Sequence, residues 1–541
     1  MLGFASPRIA RGIVRSRVFV RACAATPLML LLCQAAAPVL AEQLSCASLA
    51  SLHLPNTTIT AAEEVTGGSF DPPPAGPGGG GPIANLPPFC RVAASIPPAI
   101  NFEVWLPLAN WNGRFQGVGN GGTAGTIGYS AMAAALRGNF ATASTDTGHA
   151  ATDTTWFTNP QQLVDHGYRS IHEMTVQGKA LTRAFYGRHA KYSYFSGCST
   201  GGGQGFMETQ RFADDYDGIL AGAPSWRRTR LYATHVNSWR VTHDDPAANL
   251  PAATLALIGN AVVAKCDALD GVADGVIENP MVCRWQPVEL LCKSGQDPAT
   301  CLNAAQVRAV EKLYQGPKNP RTGEQIFPGY MRGAEFSWGT VVGGGTVYSA
   351  GANPIRFAVK EDPNYDFNTF DFDADVDLLD SKLGVWNAEN SDIRTFKKLG
   401  GKVIVYHGWA DWAITPRNTL DYYHRLVSVF KQRHQSRRDA ESEVAEFWRM
   451  FFIPGMGHCS GGPGTDQFDG ITPLVDWVEK GKAPKRIEAS HLTNGVVDET
   501  RPLCAYPKQA VYTGQGDPNS AANFACRALR GGQDRDEPRP R

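Results

Sequence analysis

Residues 192–205 read YSYFSGCSTGGGQG, and this stretch decides the fold. Residues 192–196 predict a short strand, residues 197–201 a sharp turn, and the residues that follow a helix. A strand, a tight turn and a helix in this order lift the hydroxyl of Ser199 above the edge of a sheet. A purely structural glycine turn is the competing interpretation, since the chain contains 57 glycines. In this context we interpret Ser199 as a nucleophile.

Short apolar runs alternate with amphipathic segments on both sides of this stretch. The runs are FEVWLPL, RFQGVG, NFATAST, YSYFSG, DGILAGAP, KVIVYHG and FWRMFFIPG. Residues 168–186 show apolar side chains at roughly helical spacing between two of them. This alternation predicts an α/β fold built on a mostly parallel sheet.

The alternation stops after Ser225 and resumes near Ser391. The residues between carry four cysteines, many predicted loops and several aromatic side chains. We predict that residues 226–390 are a lid domain inserted over the carboxyl edge of the sheet, where it would supply a substrate pocket. The catalytic domain would then consist of residues 42–225 and 391–526.

A serine nucleophile needs a base to take its proton and a carboxylate to orient that base. With this type of turn, the acid and then the histidine each follow a later strand. KVIVYHGWAD ends one predicted strand and offers Asp411, and FFIPGMGHC ends another and offers His458. Position alone does not select His458 among 12 histidines. His407, beside Asp411, is interpreted as a buried supporting group rather than a rival base.

The N-terminus predicts export. It combines five arginines and no acidic residue with a short apolar run and the ending VLA at residues 39–41. This pattern predicts a secretory signal over residues 1–41, hence a secreted or periplasmic protein, with a membrane anchor as the alternative. No later apolar run is predicted to reach membrane-spanning length, so no membrane partner is expected after cleavage.

Charge and composition limit the partners and mark the irregular segments. The full chain has 51 basic and 51 acidic residues, and loss of the signal leaves a net charge of −5. This mild acidity argues against nucleic acid as a partner. The Gly- and Pro-rich residues 67–90 predict an irregular surface loop held at Cys90, and the charged tail, residues 527–541, is predicted to be disordered.

Ten of the 12 cysteines lie after the predicted signal. An even number in an exported chain indicates disulfides, although the sequence alone leaves the connectivity open. Neighbouring positions suggest four pairs: Cys46 with Cys90, Cys266 with Cys283, Cys292 with Cys301, and Cys504 with Cys526. This leaves Cys198 for Cys459. A disulfide holds two Cα atoms about 5.5 Å apart, so a bond between Cys198 and Cys459 would bring Ser199 close to His458 and identify the base. An ordinary stabilising cross-link is the alternative.

Two glycine-containing loops offer further chemistry. GNGGTAG follows the RFQGVG strand, and the amides of Gly121 or Gly122, together with that of Thr200, are candidates to bind an oxyanion. A plain glycine turn is the alternative for this loop.

In the predicted lid, CDALDGVADGV places three carboxylates on one loop, a pattern that suits calcium although it is not an EF-hand. A solvated acidic loop is the alternative there.

These motifs resemble the tannase and feruloyl esterase family of serine hydrolases. Its signature is a CS-D-HC arrangement in which the two cysteines form a disulfide, and the matching segments here are CS at 198–199, Asp411 and HC at 458–459. The resemblance extends through GVGNGG, DGILAGAP, GGKVIVYHGWAD and PGMGHC, over essentially the whole chain after the signal. It implies an α/β-hydrolase fold with a large lid. It also implies a structural calcium loop, onto which Asp267, Asp270, Val272, Asp274 and Val276 fall.

The resemblance implies a carboxylic ester hydrolase whose partner is a small aromatic ester of a hydroxycinnamic or gallic acid. Trp226, Phe336 and Trp338 are candidates to contact the aromatic ring, with lid core as the alternative for each. The family also includes mono(2-hydroxyethyl) terephthalate hydrolases, a branch with glutamate after the nucleophile where this sequence has Thr200. Outside the esterases, the sequence leaves open a secreted serine peptidase and a non-catalytic calcium-dependent binding protein.

Overall fold

The apolar runs form strands in the computed structural model, which describes residues 43–73 and 81–528. The predicted signal over residues 1–41 lies outside the described residues. The strands are β1 Thr58–Val65, β2 Ser69–Phe70, β3 Ile83–Ala84, β4 Phe89–Ile96, β5 Ile100–Pro107, β6 Arg114–Val118, β7 Ala141–Thr145, β8 Tyr192–Cys198, β9 Gly218–Gly222, β10 Lys402–Gly408, β11 Trp448–Ile453, β12 Gln467–Phe468, β13 Arg486–Thr493, β14 Val496–Cys504, β15 Lys508–Tyr512 and β16 Phe524–Ala528.

Helices connect these strands. The α-helices are α1 Tyr129–Arg137, α2 Pro160–Val164, α3 Ser170–Tyr186, α4 Thr200–Arg211, α5 Arg228–His243, α6 Ala252–Cys266, α7 Ala304–Gln315, α8 Gly339–Val342, α9 Ser349–Asn353, α10 Ala374–Leu383, α11 Arg394–Lys398, α12 Arg417–Lys431, α13 Arg437–Val444 and α14 Ile471–Lys480. The π-helices are Asp165–Arg169 and Pro354–Val359. The 3₁₀-helices are Ala47–Ser51, Thr155–Thr158, Pro246–Ala248, Asp267–Asp270, Pro280–Val282, Pro287–Leu290, Pro298–Thr300, Glu335–Ser337, Phe367–Thr369, Gly384–Trp386 and Ala521–Asn523.

One nine-stranded sheet organises the described residues, in the order β1-β4-β5-β7-β6-β8-β9-β10-β11. The strands from β7 to β11 are parallel, whereas β1, β4 and β5 add an antiparallel edge. Every residue of β7 and β9 is buried, because helices cover both faces of the parallel part. The predicted α/β fold is confirmed, and each predicted strand is present.

Two segments differ from the sequence expectations. Residues 67–90, predicted to be an irregular loop, include β2, β3 and the start of β4, and Cys90 itself lies in β4. The predicted start of the tail is wrong, because residues 527 and 528 pair with β15 as the end of β16. The remaining tail residues, 529–541, lie outside the described residues.

Residues 226–390 contribute helices α5 to α10 and no strand of the main sheet. Their apolar side chains form two clusters, one around Ile258 and Trp338 and another around Ile355 and Trp386. Residues from outside this segment join both clusters, Ala410 in the first and Trp156 and Phe157 in the second, so these helices pack together with the rest of the chain.

One lid helix differs from the expectation that no later apolar run is long enough to span a membrane. The helical residues Ala252–Asp270 have a mean hydropathy of 1.4 and meet that criterion by length and composition, with 28% of the segment buried. In the structure this helix packs Leu255, Ile258 and Val262 into the lid core. These three residues recur at helical spacing, so one face of the helix is buried in this cluster.

Candidate active site

Ser199 lies at the turn between β8 and α4, at the carboxyl edge of the parallel strands. Its backbone has φ 64° and ψ −119°, a region that L-residues seldom adopt, and its amide donates to the carbonyl of Gly222 at 2.9 Å. Glycine is required around it, because a Cβ on Gly202 would lie 2.2 Å from that same carbonyl oxygen. The strained turn presents the Ser199 hydroxyl to the space above the sheet.

The structure brings the three predicted catalytic side chains together. Ser199 Oγ lies 2.9 Å from His458 Nε2, and His458 Nδ1 lies 2.8 Å from Asp411 Oδ2. Asp411 follows β10 and His458 follows β11, so both reach the same edge as the serine. Because Nδ1 faces a carboxylate, it carries the proton, and Nε2 is left to accept one from Ser199.

Asp411 is fully buried and held on both oxygens. Oδ1 accepts from the amides of Ala413 and Ile414 at 2.8 and 2.9 Å, and Oδ2 also accepts from His407 Nε2 at 3.1 Å. Burial alone would raise the pKa of Asp411, but the charge of His458 and the histidine hydrogen bonds outweigh it and lower that pKa. His407 is itself fully buried, and its Nε2 also donates to the carbonyl of Ile414 at 2.9 Å.

Burial and charge act in opposite directions on His458. Burial lowers the pKa of His458, but the attraction and hydrogen bond of Asp411 outweigh it, and the net effect raises the pKa above its ordinary value. Nearby His235 behaves differently: its Nε2 donates to the carbonyl of Ala413 at 3.1 Å, and burial lowers its pKa to about 4. Burial thus favours the neutral form of His235, whereas Asp411 favours the charged form of His458.

A disulfide joins the residues next to the serine and the histidine. Cys198 and Cys459 have Cα atoms 5.9 Å apart although 261 positions separate them in sequence. The bond ties the turn after β8 to the loop after β11. The structure contains all five predicted pairs, the others being Cys46 with Cys90, Cys266 with Cys283, Cys292 with Cys301, and Cys504 with Cys526.

The candidate oxyanion residues line the same space. Gly121, Gly122 and Thr200 all border the cavity at Ser199, and within the described residues their amides donate no hydrogen bond to another group. Thr200 Oγ1 donates to the carbonyl of Gly122 at 2.6 Å, which holds the loop against the serine turn. The sequence did not point to Asn120, whose Nδ2 donates to the carbonyls of Thr126 and Thr145 and fixes the start of the loop.

A cavity of about 600 Å³ opens at Ser199 and His458. Residues 226–390 contribute part of its wall, namely Arg228, Leu231, Tyr232, His235, Tyr348 and Ala350. The sequence did not point to these residues, because helical spacing on α5 shows which side chains share a face but not which face meets a cavity.

The three predicted ring-binding residues lie elsewhere, which corrects that expectation. Trp226 is fully buried, and its indole N–H donates to the carbonyl of Asn418 at 2.7 Å. Trp338 is also fully buried, within the lid core. Phe336 is 47% exposed, and its ring packs on Gly259 rather than on the cavity. Large apolar surface is drawn into a core as readily as into a binding site, so residue type alone misled the prediction.

The acidic lid loop folds around its own backbone. Asp267 accepts from the amides of Asp274 and Gly275 at 3.2 and 3.0 Å, and Asp270 accepts from that of Val272 at 3.0 Å. Burial, together with the neighbouring carboxylates, raises the pKa of Asp270 to about 6.

The loop has the donor chemistry of a calcium site. Three carboxylates and the carbonyls of Val272 and Val276 are hard oxygen donors of the kind that calcium takes. Across residues 43–73 and 81–528, no three Asp, Glu, His or Cys side chains form a metal-binding cluster. Calcium would therefore need the backbone carbonyls as ligands, and Asp274 already pairs with Arg501, so a calcium site here stays a prediction.

A family model described as tannase and feruloyl esterase matches residues 85–527. An uncharacterized esterase of Xanthomonas campestris pv. campestris is 37% identical, with 94% of each chain covered. The mono(2-hydroxyethyl) terephthalate hydrolase of Piscinibacter sakaiensis is 36% identical, covering 82% of this chain and 86% of that protein. The crystal structure of feruloyl esterase B from Aspergillus oryzae matches with a TM-score of 0.81 and 30% identity, covering 89% of this chain and 99% of that one.

Proposed function

Since the chain belongs to the tannase and feruloyl esterase family and is a carboxylic ester hydrolase, we propose that it hydrolyses esters of aromatic acids through Ser199, His458 and Asp411. One observation carries the proposal: an unbroken hydrogen-bond chain runs from Ser199 Oγ through His458 to Asp411, at the wall of a cavity of about 600 Å³. This is the arrangement that serine acyl transfer requires.

In the proposed mechanism, Ser199 Oγ attacks the ester carbonyl as His458 Nε2 takes its proton. The oxyanion that forms accepts hydrogen bonds from the amide of Thr200 and from that of Gly121 or Gly122. His458 then gives the proton to the departing alcohol, which leaves an acyl group on Ser199. Water, deprotonated by the same nitrogen, releases the acid and restores the serine.

The cavity wall supports an aromatic acyl group. Tyr232, Tyr348, Leu231 and Ile414 supply apolar surface beside the nucleophile, and the volume falls in the range of about 300–1,000 Å³ typical of small-molecule sites. Hydroxycinnamic and gallic acid esters fit this description. Mono(2-hydroxyethyl) terephthalate is the second candidate substrate, because the hydrolase of that name is 36% identical to this chain. This substrate ranks second because the resemblance implies a glutamate after the nucleophile in that branch, whereas this chain has Thr200.

A substrate panel tests the proposal. Methyl gallate, methyl ferulate, chlorogenate and mono(2-hydroxyethyl) terephthalate are compared with methyl hexanoate and with a peptide anilide on the purified protein. We expect kcat/KM for the aromatic esters to exceed that for the aliphatic ester by at least about 10-fold, with no anilide cleavage. A preference for the aliphatic ester or the anilide would contradict it, and a clear preference for the terephthalate ester would favour the second candidate.

The acid limb of the pH profile reports the pKa of His458. The base must be neutral to act, and Asp411 raises its pKa, so kcat/KM should rise with pH through an apparent pKa above the ordinary His value of 6.5. In Asp411→Asn the raising charge is lost. The limb should move to lower pH, and kcat should fall by about 10⁴-fold. Profiles measured on methyl ferulate check both results, and an unmoved limb in the variant would contradict the pairing.

Export from the cytoplasm is part of the proposal. The five disulfides support it, because such bonds persist in oxidising compartments. The N-terminus of protein recovered from the periplasm or the medium tests it; a start at Glu42 is expected, and retention of residues 1–41 would contradict it.

Structural calcium in the lid is also proposed, held by the carboxylates of Asp267, Asp270 and Asp274 and the carbonyls of Val272 and Val276. When bound, the ion would neutralise like charges that otherwise repel. Val276 packs on the loop that carries His458, because a Cβ on Gly455 would lie 3.1 Å from Val276 Cγ1. Order in the acidic loop therefore supports the catalytic loop.

Removal of calcium by EDTA should lower the melting temperature by about 5 °C, and added calcium should restore it. Asp270→Asn should weaken calcium binding measured by titration calorimetry. The exposed lid residue Asp244, which pairs with Arg240, offers a matched control in Asp244→Asn. Equal calcium binding by wild type and Asp270→Asn would contradict the assignment.

A further inference from the structure

His149 is a buried histidine beside the loop that carries the candidate oxyanion amides. It follows β7, only 4% of its surface is exposed, and its Nε2 lies 2.8 Å from the carbonyl oxygen of Thr123. A carbonyl oxygen only accepts, so Nε2 carries a proton and donates it. Burial lowers the pKa of His149 to about 4, which favours a neutral ring with this N–H as its donor.

The carbonyl that His149 holds begins a chain of hydrogen-bonded peptide units. The carbonyl of Thr123 shares its peptide unit with the amide of Ala124, and that amide donates to the carbonyl of Gly121 at 2.9 Å. The Gly121 carbonyl in turn shares its peptide unit with the amide of Gly122, which borders the cavity at the candidate nucleophile. Each peptide unit is planar, so the direction of a carbonyl fixes that of the amide on its other side. The chain therefore links the His149 N–H to the direction of the Gly122 amide.

The turn that contains these peptide units needs outside partners to keep its shape. Gly122 has φ 55° and Ala124 has φ 60°, and this left-handed region costs conformational energy for alanine. Side chains hold two consecutive carbonyls of the turn: Thr200 Oγ1 donates to that of Gly122 at 2.6 Å, and His149 donates to that of Thr123. Such backbone strain persists only where the surroundings fix it.

Aromatic packing fixes the orientation of the His149 ring. The ring stacks on Trp156 with centroids 3.8 Å apart and planes 18° apart, and Trp156 stacks on Trp386 at 5.7 Å. Both tryptophans are buried. His149 does not line the cavity, so it would act on a bound ester only through the loop. The ring thus packs through its face and donates through its edge, and substitution can separate these two roles.

We propose that His149 is a positioning residue for ester hydrolysis, whose Nε2–H aligns the amide of Gly122 with the oxyanion that forms at Ser199. The proposal rests on the proposed ester hydrolysis at Ser199. Hydrogen bonds in a chain polarise one another, so the chain also strengthens the Gly122 donor as negative charge develops. Because the oxyanion is absent from the bound substrate, loss of the His149 N–H should affect kcat more than KM.

Two substitutions separate the donor from the ring. His149→Phe keeps a ring on Trp156 but loses the N–H, and we expect kcat for methyl ferulate to fall by about 10- to 100-fold with KM little changed. His149→Gln keeps a side-chain N–H that reaches the same carbonyl, so it should recover most of the lost kcat. Initial rates measured well below the melting temperature of each variant give both results.

Two inhibitors show whether the loss concerns the oxyanion. The trifluoromethyl ketone analogue of methyl ferulate adds the Ser199 hydroxyl at its carbonyl carbon, with the proton passing to His458 and an oxyanion left on the former carbonyl. Coniferyl alcohol has the same ring and no carbonyl. In His149→Phe the inhibition constant of the ketone should rise by the factor by which kcat falls, and that of coniferyl alcohol should stay unchanged. An unchanged constant for the ketone, or an equal rise for both inhibitors, would overturn the proposal.

His243→Phe is the matched control. His243 stacks on Trp239 with centroids 4.4 Å apart and planes 18° apart, and it does not line the cavity. This variant makes the same chemical change in a similar aromatic stack and should keep the wild-type kcat and both inhibition constants. A folded His149→Phe that keeps the wild-type kcat, or an equal loss of kcat in the two phenylalanine variants, would overturn the proposal.

Should His149→Phe not fold, the wild-type protein labelled with ¹⁵N at histidine carries the test. The Nε2–H resonance of His149, identified by its absence from His149→Gln, should move when the ketone binds and stay in place with coniferyl alcohol. A resonance that the ketone leaves in place would overturn the proposal. Failure of the underlying ester hydrolysis looks different, because the wild-type protein itself would then neither hydrolyse methyl ferulate nor bind the ketone more tightly than coniferyl alcohol.

Discussion

Replacement of Ser199 by alanine should lower kcat/KM for methyl ferulate by about 10⁶-fold. The hydroxyl at 2.9 Å from His458 is the only group that the proposed mechanism acylates, and the oxyanion donors and the cavity remain in the variant. The melting temperature should change little, because alanine keeps the backbone turn and loses a single oxygen. Initial rates and thermal melts on the same preparations measure both effects.

Substrate binding provides the control for this variant. The cavity that holds the ester is intact in Ser199→Ala, so methyl ferulate should still bind, as titration calorimetry can measure. Retention of more than about 1% of wild-type kcat/KM would contradict a nucleophilic role for Ser199.

Loss of the disulfide between Cys198 and Cys459 should damage catalysis and stability together. The bond closes a separation of 261 residues, so on the loop-entropy model its removal costs about 5 kcal/mol of the free energy of unfolding. It also fixes the turn that carries Ser199 relative to the loop that carries His458. Because a misplacement of about 1 Å can cost about 100-fold in rate, kcat in the double variant Cys198→Ser, Cys459→Ser should fall at least that far.

A second disulfide supplies the comparison. Cys292 and Cys301 lie within residues 226–390, close a separation of only 9 residues, and do not line the cavity at Ser199. Serine at both positions should lower the melting temperature without changing kcat measured well below it. An equal loss of kcat in the two double variants would show that the bond beside Ser199 acts through general stability alone.

The order of the strands and of the candidate catalytic residues could be predicted because local chemistry determines it. The glycines around Ser199 are required by contacts with neighbouring backbone, and they mark the turn in the sequence. Asp411 and His458 each follow a strand rich in apolar residues, so their position at one edge follows from the topology of a parallel sheet. The adjacent cysteines then related two segments that sequence spacing alone could not.

The wall of the cavity could not be predicted, because it depends on how the lid packs. Trp226 and Trp338 have the residue type of a ring-binding site but are fully buried in core. Tyr348 and Arg228, which do face the cavity, belong to segments without a recognisable motif. A partly useful signal was present for Arg228: the stretch SWRRTR directly follows a predicted strand end, where ligands bind in α/β sheets.

The acyl-enzyme on Ser199 is tested most directly by mass spectrometry of the protein quenched during turnover of the p-nitrophenyl ester of ferulic acid, an ester whose good leaving group favours accumulation of the intermediate. We predict a mass increase of one feruloyl group, located by peptide mapping on the Ser199 hydroxyl and absent from Ser199→Ala. Turnover with the acyl group on another residue, or continued hydrolysis by Ser199→Ala at the wild-type rate, would contradict it.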